Sequence, residues 1–204
     1  MIVLIDYGAG NVRSVHKALE TVGAEVLVAR GPAPLADARK VVLPGVGAFG
    51  DCMNSLRRAG LVDALKEIVD RGIPFLGICV GLQVLFDVGE EMGLHEGLSL
   101  LPGRVVRFAK GLVQQGLKIP HTGWNQIQPV REHPLLTGLP EGAWAYFNHA
   151  YYGQAQDEHI IAATDYGGRF ASVVGKDNVH GVQFHPEKSQ DTGLHILRNF
   201  VERM

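Results

Sequence analysis

Cys79 stands between two glycines, Gly77 and Gly81, where the apolar run Ile73–Ile78 stops. A thiol nucleophile on a sharp strand-to-helix turn needs small neighbours, because a Cβ would collide with the tight backbone. Gly77-x-Cys79-x-Gly81 is the thiol counterpart of the Gly-x-Ser-x-Gly elbow that lifts a nucleophile to the top of an α/β sheet. The same turn sets the sulfur at a helix N-terminus, where free N–H groups favour the thiolate. Much later, His185-Pro186-Glu187 ends a second apolar run, Val179–Phe184. In extended chain, residues i and i+2 point the same way, so imidazole and carboxylate can share one side, and Pro186 favours extended backbone at His185. An imidazole whose far nitrogen is held by a carboxylate is an oriented general base. A third element, Pro44-Gly45-Val46-Gly47-Ala48-Phe49-Gly50, follows the run Lys40–Leu43. Its glycines let backbone N–H groups turn toward an anion, which makes it the candidate oxyanion hole. Each element alone has a plain alternative: a buried cysteine, a strand-end histidine, a flexible loop. All three end predicted strands, on the edge of the sheet where α/β proteins bind ligands.

The elements that must position these groups are legible from hydrophobic periodicity. Ile2–Ile5 reads as a buried strand, followed by the turn Asp6-Tyr7-Gly8-Ala9-Gly10-Asn11. Asn11 is placed to cap a helix whose apolar face is Val12, Val15, Leu19 and Val22. Gly23 closes that helix and Glu25–Ala29 is the next strand, so the chain opens as a βαβ unit with a parallel sheet. The turn lacks the Gly-x-Gly-x-x-Gly fingerprint, and no phosphate-binding lysine motif is present, which argues against a nucleotide site. Asp51–Arg71 reads as one or two helices broken near Gly60, and Val80, Val84, Leu85 and Val88 continue as a helical pattern after the elbow. Beyond Leu98 the pattern changes to short strands: Arg104–Phe108, Trp124–Gln128, Ala143–Phe147, His159–Thr164, Phe170–Val174 and Val179–Phe184. A final helix, Ser189–Arg203, turns Leu194, Leu197 and Phe200 inward. The expected architecture is one α/β domain over residues 1–204: a central, mostly parallel sheet flanked by helices, with a smaller antiparallel part.

Composition narrows the function. The 204 residues are 46% hydrophobic and 20% charged, with a formal net charge of −2 and no basic block. That balance fits a globular enzyme and gives no footing for nucleic acid or an anionic membrane. Two cysteines, Cys52 and Cys79, are too few for a disulfide framework and lack metal-ligand spacing, so no metal is expected and a reducing cytoplasm suits them. The short apolar start, Met1–Ile5, is expected to be the first strand rather than a leader. No apolar run approaches the roughly 20 residues of a membrane span.

On these residues the chain resembles the class I (triad) glutamine amidotransferases, a flavodoxin-like fold. Within them it resembles the glutaminase subunits of imidazole glycerol phosphate synthases. The broad resemblance rests on the Gly-x-Cys-x-Gly elbow and the His-x-Glu pair. The narrower one rests on Tyr7-Gly8-Ala9-Gly10-Asn11, Pro44–Gly50, Pro120-His121-Thr122-Gly123-Trp124-Asn125 and His185-Pro186-Glu187-Lys188-Ser189. Relatives in other pathways carry Pro-Gly-Gly where this chain has Pro44-Gly45-Val46-Gly47.

The resemblance implies that Cys79 attacks the carboxamide carbon of L-glutamine, with His185 as proton carrier and Glu187 orienting it. It implies an oxyanion hole from the Val80 N–H and the Gly45, Val46 and Gly47 stretch. Gln83 would contact the substrate, Glu91 would receive its ammonium, and the backbone of His149 and Ala150 its carboxylate. Family members often carry a small hydroxyl residue where this chain has Ala150, so only a backbone contact is implied there. No cofactor is implied. The implied partner is a cyclase subunit, a (β/α)8 barrel that consumes the ammonia, with Asn11, Trp124 and Lys188 at the interface. Two other readings compete: a stand-alone γ-glutamyl cysteine hydrolase, or an amidotransferase subunit of another pathway. A binding subunit without chemistry is opposed by the intact Cys79, His185 and Glu187.

Overall fold

A computed structural model describes residues 1–204. The chain runs β1 (Ile2–Ile5), α1 (Val12–Thr21), β2 (Val26–Ala29), β3 (Lys40–Gly45), α2 (Phe49–Arg58), α3 (Leu61–Asp70) and β4 (Phe75–Cys79). One helical turn follows, α4 (Val80–Gln83), then β5 (Phe86–Gly89), β6 (His95–Glu96), β7 (Leu101–Arg107) and the short α5 (Gly111–Gln114). Next come β8 (His121–Gln126), β9 (Gln128–Pro129), β10 (Trp144–His149) and β11 (Tyr151–Ala155). The last elements are β12 (Ile160–Asp165), β13 (Arg169–Lys176), β14 (Val179–Val182) and α6 (Gln190–Arg203).

Eight strands form the central sheet in the order β2-β1-β3-β4-β14-β13-β12-β9. The first five are parallel and the last three are antiparallel. Every residue of β1 and β4 is buried, as continuous apolar runs require in a parallel sheet covered on both faces. The chain steps from β1 outward to β2, then returns and steps from β3 the other way to β4. Right-handed crossovers in opposite directions place α1 on one face and α2 with α3 on the other. The reversal leaves a crevice at the carboxyl ends of β1 and β3, next to β4, where such sheets bind ligands. Two smaller sheets, β10-β8 and β11-β7-β5-β6, fold over this end. No helix is long and apolar enough to cross a membrane.

The structure corrects several boundaries. The helix after Cys79 lasts one turn, and Val88, expected on its apolar face, belongs to β5, where it pairs with Glu96 and Arg104. Val84, Leu85 and Phe86 are buried completely, so the apolar run faces core on all sides. Periodicity cannot separate helix from strand in such a run, and pairing of β5 with β7 decides for strand. β5, β6 and β11 were not anticipated, and Trp124–Gln128 is divided between β8 and β9. The last sheet strand ends at Val182, short of the expected Phe184.

Candidate active site

The elbow is built by glycines that let three backbones meet. A Cβ on Gly81 would stand 1.9 Å from the Leu43 carbonyl oxygen, one on Gly77 2.5 Å from the Gly81 oxygen, and one on Gly45 2.5 Å from the Gly81 nitrogen. With no Cβ at these positions, α4 packs directly on β3 and β4. Cys79 takes the turn with φ +56° and ψ −112°, a region a side-chain-bearing residue enters only under constraint. Such strain costs on the order of 1–3 kcal/mol and marks sites where the fold over-determines a side chain.

His185 follows β14, the neighbour of β4, so sheet pairing brings it to Cys79. Its backbone is clamped on both sides. The N–H donates to the Tyr146 carbonyl at 2.9 Å, and the Ser189 hydroxyl donates to the His185 carbonyl at 2.6 Å. Nδ1–H donates to Glu187 Oε1 at 3.0 Å, which leaves Nε2 for Cys79. Residues 186–188 form a 3₁₀ turn rather than the extended chain expected, yet the pair still meets. Proline at the start of that turn has the φ the turn needs. Burial lowers the imidazole pKa, but hydrogen bonds to Cys79 and Glu187 and the charges of both outweigh it and raise it to about 10. His185 therefore holds its proton as imidazolium at neutral pH.

A cavity of about 200 Å³ opens above the sulfur, bordered by Val46, Gly47, Val80, Glu91 and Lys188. The expected binding residues Gln83, His149 and Ala150 also line it. Gln83 has spent both amide N–H bonds, on the Tyr151 carbonyl at 2.9 Å and Gln183 Oε1 at 3.2 Å, so only its own carbonyl is left for a ligand. One Glu91 oxygen accepts the Phe49 N–H at 2.8 Å at the start of α2. Gln183, buried, reaches Cys79 Sγ at 3.9 Å. Gln183, Ser189, Pro120, Asn148 and Tyr151 carry no role in the sequence reading, although Pro120 and Ser189 stand within its motifs. Gln183 sits beside one, but nothing local reveals that it and Ser189 brace them.

Asn11 stands before α1 but makes no side-chain cap, contrary to expectation. Its Nδ2 turns instead to Glu187 Oε1 at 3.5 Å, so its amide joins the triad's edge. Lys188 Nζ lies 5.8 Å from the centre of the Tyr146 ring, and Trp124, 44% exposed, meets the same ring at 6.3 Å. Tyr146 in turn lies 6.4 Å from the His185 ring. All three residues expected at an interface thus connect by contact to the triad, and Trp124 and Trp144 form an exposed aromatic rim.

The side chain of His149 faces away from substrate into a buried relay. Its Nδ1–H donates to the Tyr151 carbonyl at 2.8 Å, and its Nε2 accepts from His121 Nδ1 at 3.2 Å. His121 Nε2 accepts from Asn125 Nδ2 at 3.3 Å, and that amide also donates to the Asp165 carbonyl at 2.9 Å. Every bond is satisfied only when both rings are neutral; an added proton would face a donor with a donor. Burial accordingly lowers His121 to about 4 and His149 to about 3, and buried His180 also falls to about 4. A histidine whose folded pKa lies below its unfolded value of about 6.5 takes its proton first in the unfolded chain. The stability these three rings contribute is therefore complete above about pH 6.5 and declines as pH falls toward 4, by about 1.4 kcal/mol per pH unit for each ring. Urea midpoints should drop steeply from pH 7 to pH 5; a flat profile would contradict neutral burial.

Comparison with known proteins identifies the family. The family described as glutamine amidotransferase class-I matches residues 3–204. The imidazole glycerol phosphate synthase subunit HisH of Syntrophotalea carbinolica is 54% identical over 203 residues, covering 98% of each chain. The subunits of the same name from Salinibacter ruber and Geobacter sulfurreducens are 50% and 49% identical, over 98% of this chain and 94% and 98% of theirs. Among solved structures, a glutamine amidotransferase superposes with a TM-score of 0.77 at 22% identity over 99% of this chain and 98% of that one. The PurLQS structure from Thermotoga maritima gives 0.74 at 19% identity, covering 98% and 96%; at these identities the likeness is one of fold.

Proposed function

The chain belongs to the glutamine amidotransferase class-I family, and from that premise we propose that it is the glutaminase subunit of an imidazole glycerol phosphate synthase. The observation that carries the chemistry is Cys79 held on a strained elbow, lining one cavity with a buried His185 that Glu187 orients. The Cys79 thiolate attacks the carboxamide carbon of L-glutamine, and backbone N–H groups of Val80 and the 45–47 loop receive the oxyanion. The His185 imidazolium gives its proton to the departing nitrogen, so ammonia leaves and a cysteinyl thioester remains. Water, deprotonated by His185, attacks the thioester; glutamate leaves and the thiolate returns. Glu91 and the backbone at His149 and Ala150 hold the amino acid's ammonium and carboxylate. Identity near one half over nearly the whole chain with subunits named for that synthase supports the assignment to histidine biosynthesis.

Free ammonia is mostly protonated at neutral pH, so the product is passed directly to a cyclase subunit, a (β/α)8 barrel. The exposed rim of Trp124 and Trp144 beside Asn11 and Lys188 is the docking face. A reducing cytoplasm keeps the Cys79 thiol free. The test is co-purification with the cyclase subunit, followed by imidazole glycerol phosphate formation with either glutamine or an ammonium salt as nitrogen source. Glutamine should support the reaction only in the complex, and glutamate release by the isolated chain should be weak. Full turnover by the isolated chain would instead favour a stand-alone γ-glutamyl hydrolase.

A further inference from the structure

Beneath the 45–47 loop lie two buried donors that the chemistry above does not use. Cys52, on α2 and fully buried, places its Sγ 3.5 Å from the Val46 carbonyl oxygen. Tyr7, just past β1, is also buried; its hydroxyl lies beside the Cys52 sulfur but completes no hydrogen bond. That hydroxyl oxygen is 2.9 Å from where a Cβ on Gly45 would stand. Burial raises the pKa of both groups, of Cys52 to about 11, so each keeps its proton at neutral pH.

A trans peptide directs its N–H and C=O to opposite sides. A loop N–H aimed at an oxyanion in the cavity therefore turns the carbonyl of the same peptide toward the protein beneath, where it needs a donor. The Val46 carbonyl shares its peptide with the Gly47 N–H, and the Cys52 thiol serves it. The Gly45 carbonyl shares its peptide with the Val46 N–H, and the open donor beside Gly45 is the Tyr7 hydroxyl. We propose that Tyr7 and Cys52 are positioning residues for the oxyanion hole: the Cys52 thiol backs the Val46–Gly47 peptide, and the Tyr7 hydroxyl is the donor left open to back the Gly45–Val46 peptide. The inference rests on the glutaminase reading above. It also accounts for a buried hydroxyl left open, which is destabilising in a chain with no use for it.

The test is glutamate release by the co-purified complex with the cyclase subunit. Tyr7→Phe should lower kcat about tenfold with KM for glutamine changed less than about twofold, because the transition state rather than the bound substrate loses its donor. Its thermal midpoint should equal or exceed that of the parent chain. Cys52→Ala should lower kcat in the same way, and Cys52→Ser, which restores a donor, should recover most of the loss. Unchanged kcat in Tyr7→Phe with a raised midpoint, or Cys52→Ser no faster than Cys52→Ala, would overturn the proposal. If Cys52→Ala does not fold, Tyr7→Phe alone decides. A parent complex that releases no glutamate would sink the glutaminase reading itself, which Tyr7→Phe does not test.

Discussion

Alanine at position 79 is expected to leave a folded complex whose glutamine turnover has fallen by about 10⁴-fold or more, since the nucleophile and its proton partner act as a unit. Nothing else in the cavity can replace the sulfur: Cys52 is fully buried and its thiol is held by a carbonyl. Ring closure driven by an ammonium salt should persist in the same complex, because that reaction bypasses the thiol. The strain at this residue sharpens the prediction. Cys79 occupies φ +56°, where glycine is comfortable and other residues are not. Cys79→Gly should therefore be at least as stable as Cys79→Ala while being equally inactive. Glutamate release and thermal midpoints on the two variants check both halves, and measurable glutamine-dependent turnover in either would refute the assignment.

The second large effect is structural. Gly81→Ala puts a Cβ 1.9 Å from the Leu43 carbonyl oxygen, which belongs to β3 in the middle of the parallel sheet. Backbone in a paired central strand cannot yield as a flexible side chain can, so α4 must lift away from the sheet. The expected loss is about 4 kcal/mol or more, the range reserved for severe core disruption. That is enough to leave much of the chain unfolded. Gly47→Ala is the control: it has open space around it and strains only its φ of +98°, so its cost should stay near 1–2 kcal/mol. Urea unfolding of both variants compares them. Near-parental stability of Gly81→Ala would mean that the elbow is not packed on β3 as described.

Corrections to the sequence reading share one cause. Asn11 had the type and place of a helix cap, but Glu187, distant in the chain, draws its amide away. Gln83 lines the cavity as the sequence implies, but distant partners, Tyr151 and Gln183, take its donors and leave only its carbonyl for a ligand. The apolar residues after the elbow fit a helix until β7 supplied a strand to pair with. In each case the winning partner comes from another part of the chain, and local propensity was the weaker term.

What the sequence determined by itself is the set of short-range constraints: a cysteine between glycines on a turn, a carboxylate two residues from an imidazole, and a glycine-rich loop at a strand end. Those follow from sterics and residue chemistry over a few positions, and with them the family was readable. Only the tertiary structure decided whether the halves meet. It did so through the β4–β14 pairing that carries His185 to Cys79, and through glycine contacts that let α4 rest on β3. It also decided which buried donors stand behind the loop. Such contacts join residues far apart in the chain, and their energy is realised only when the sheet has formed.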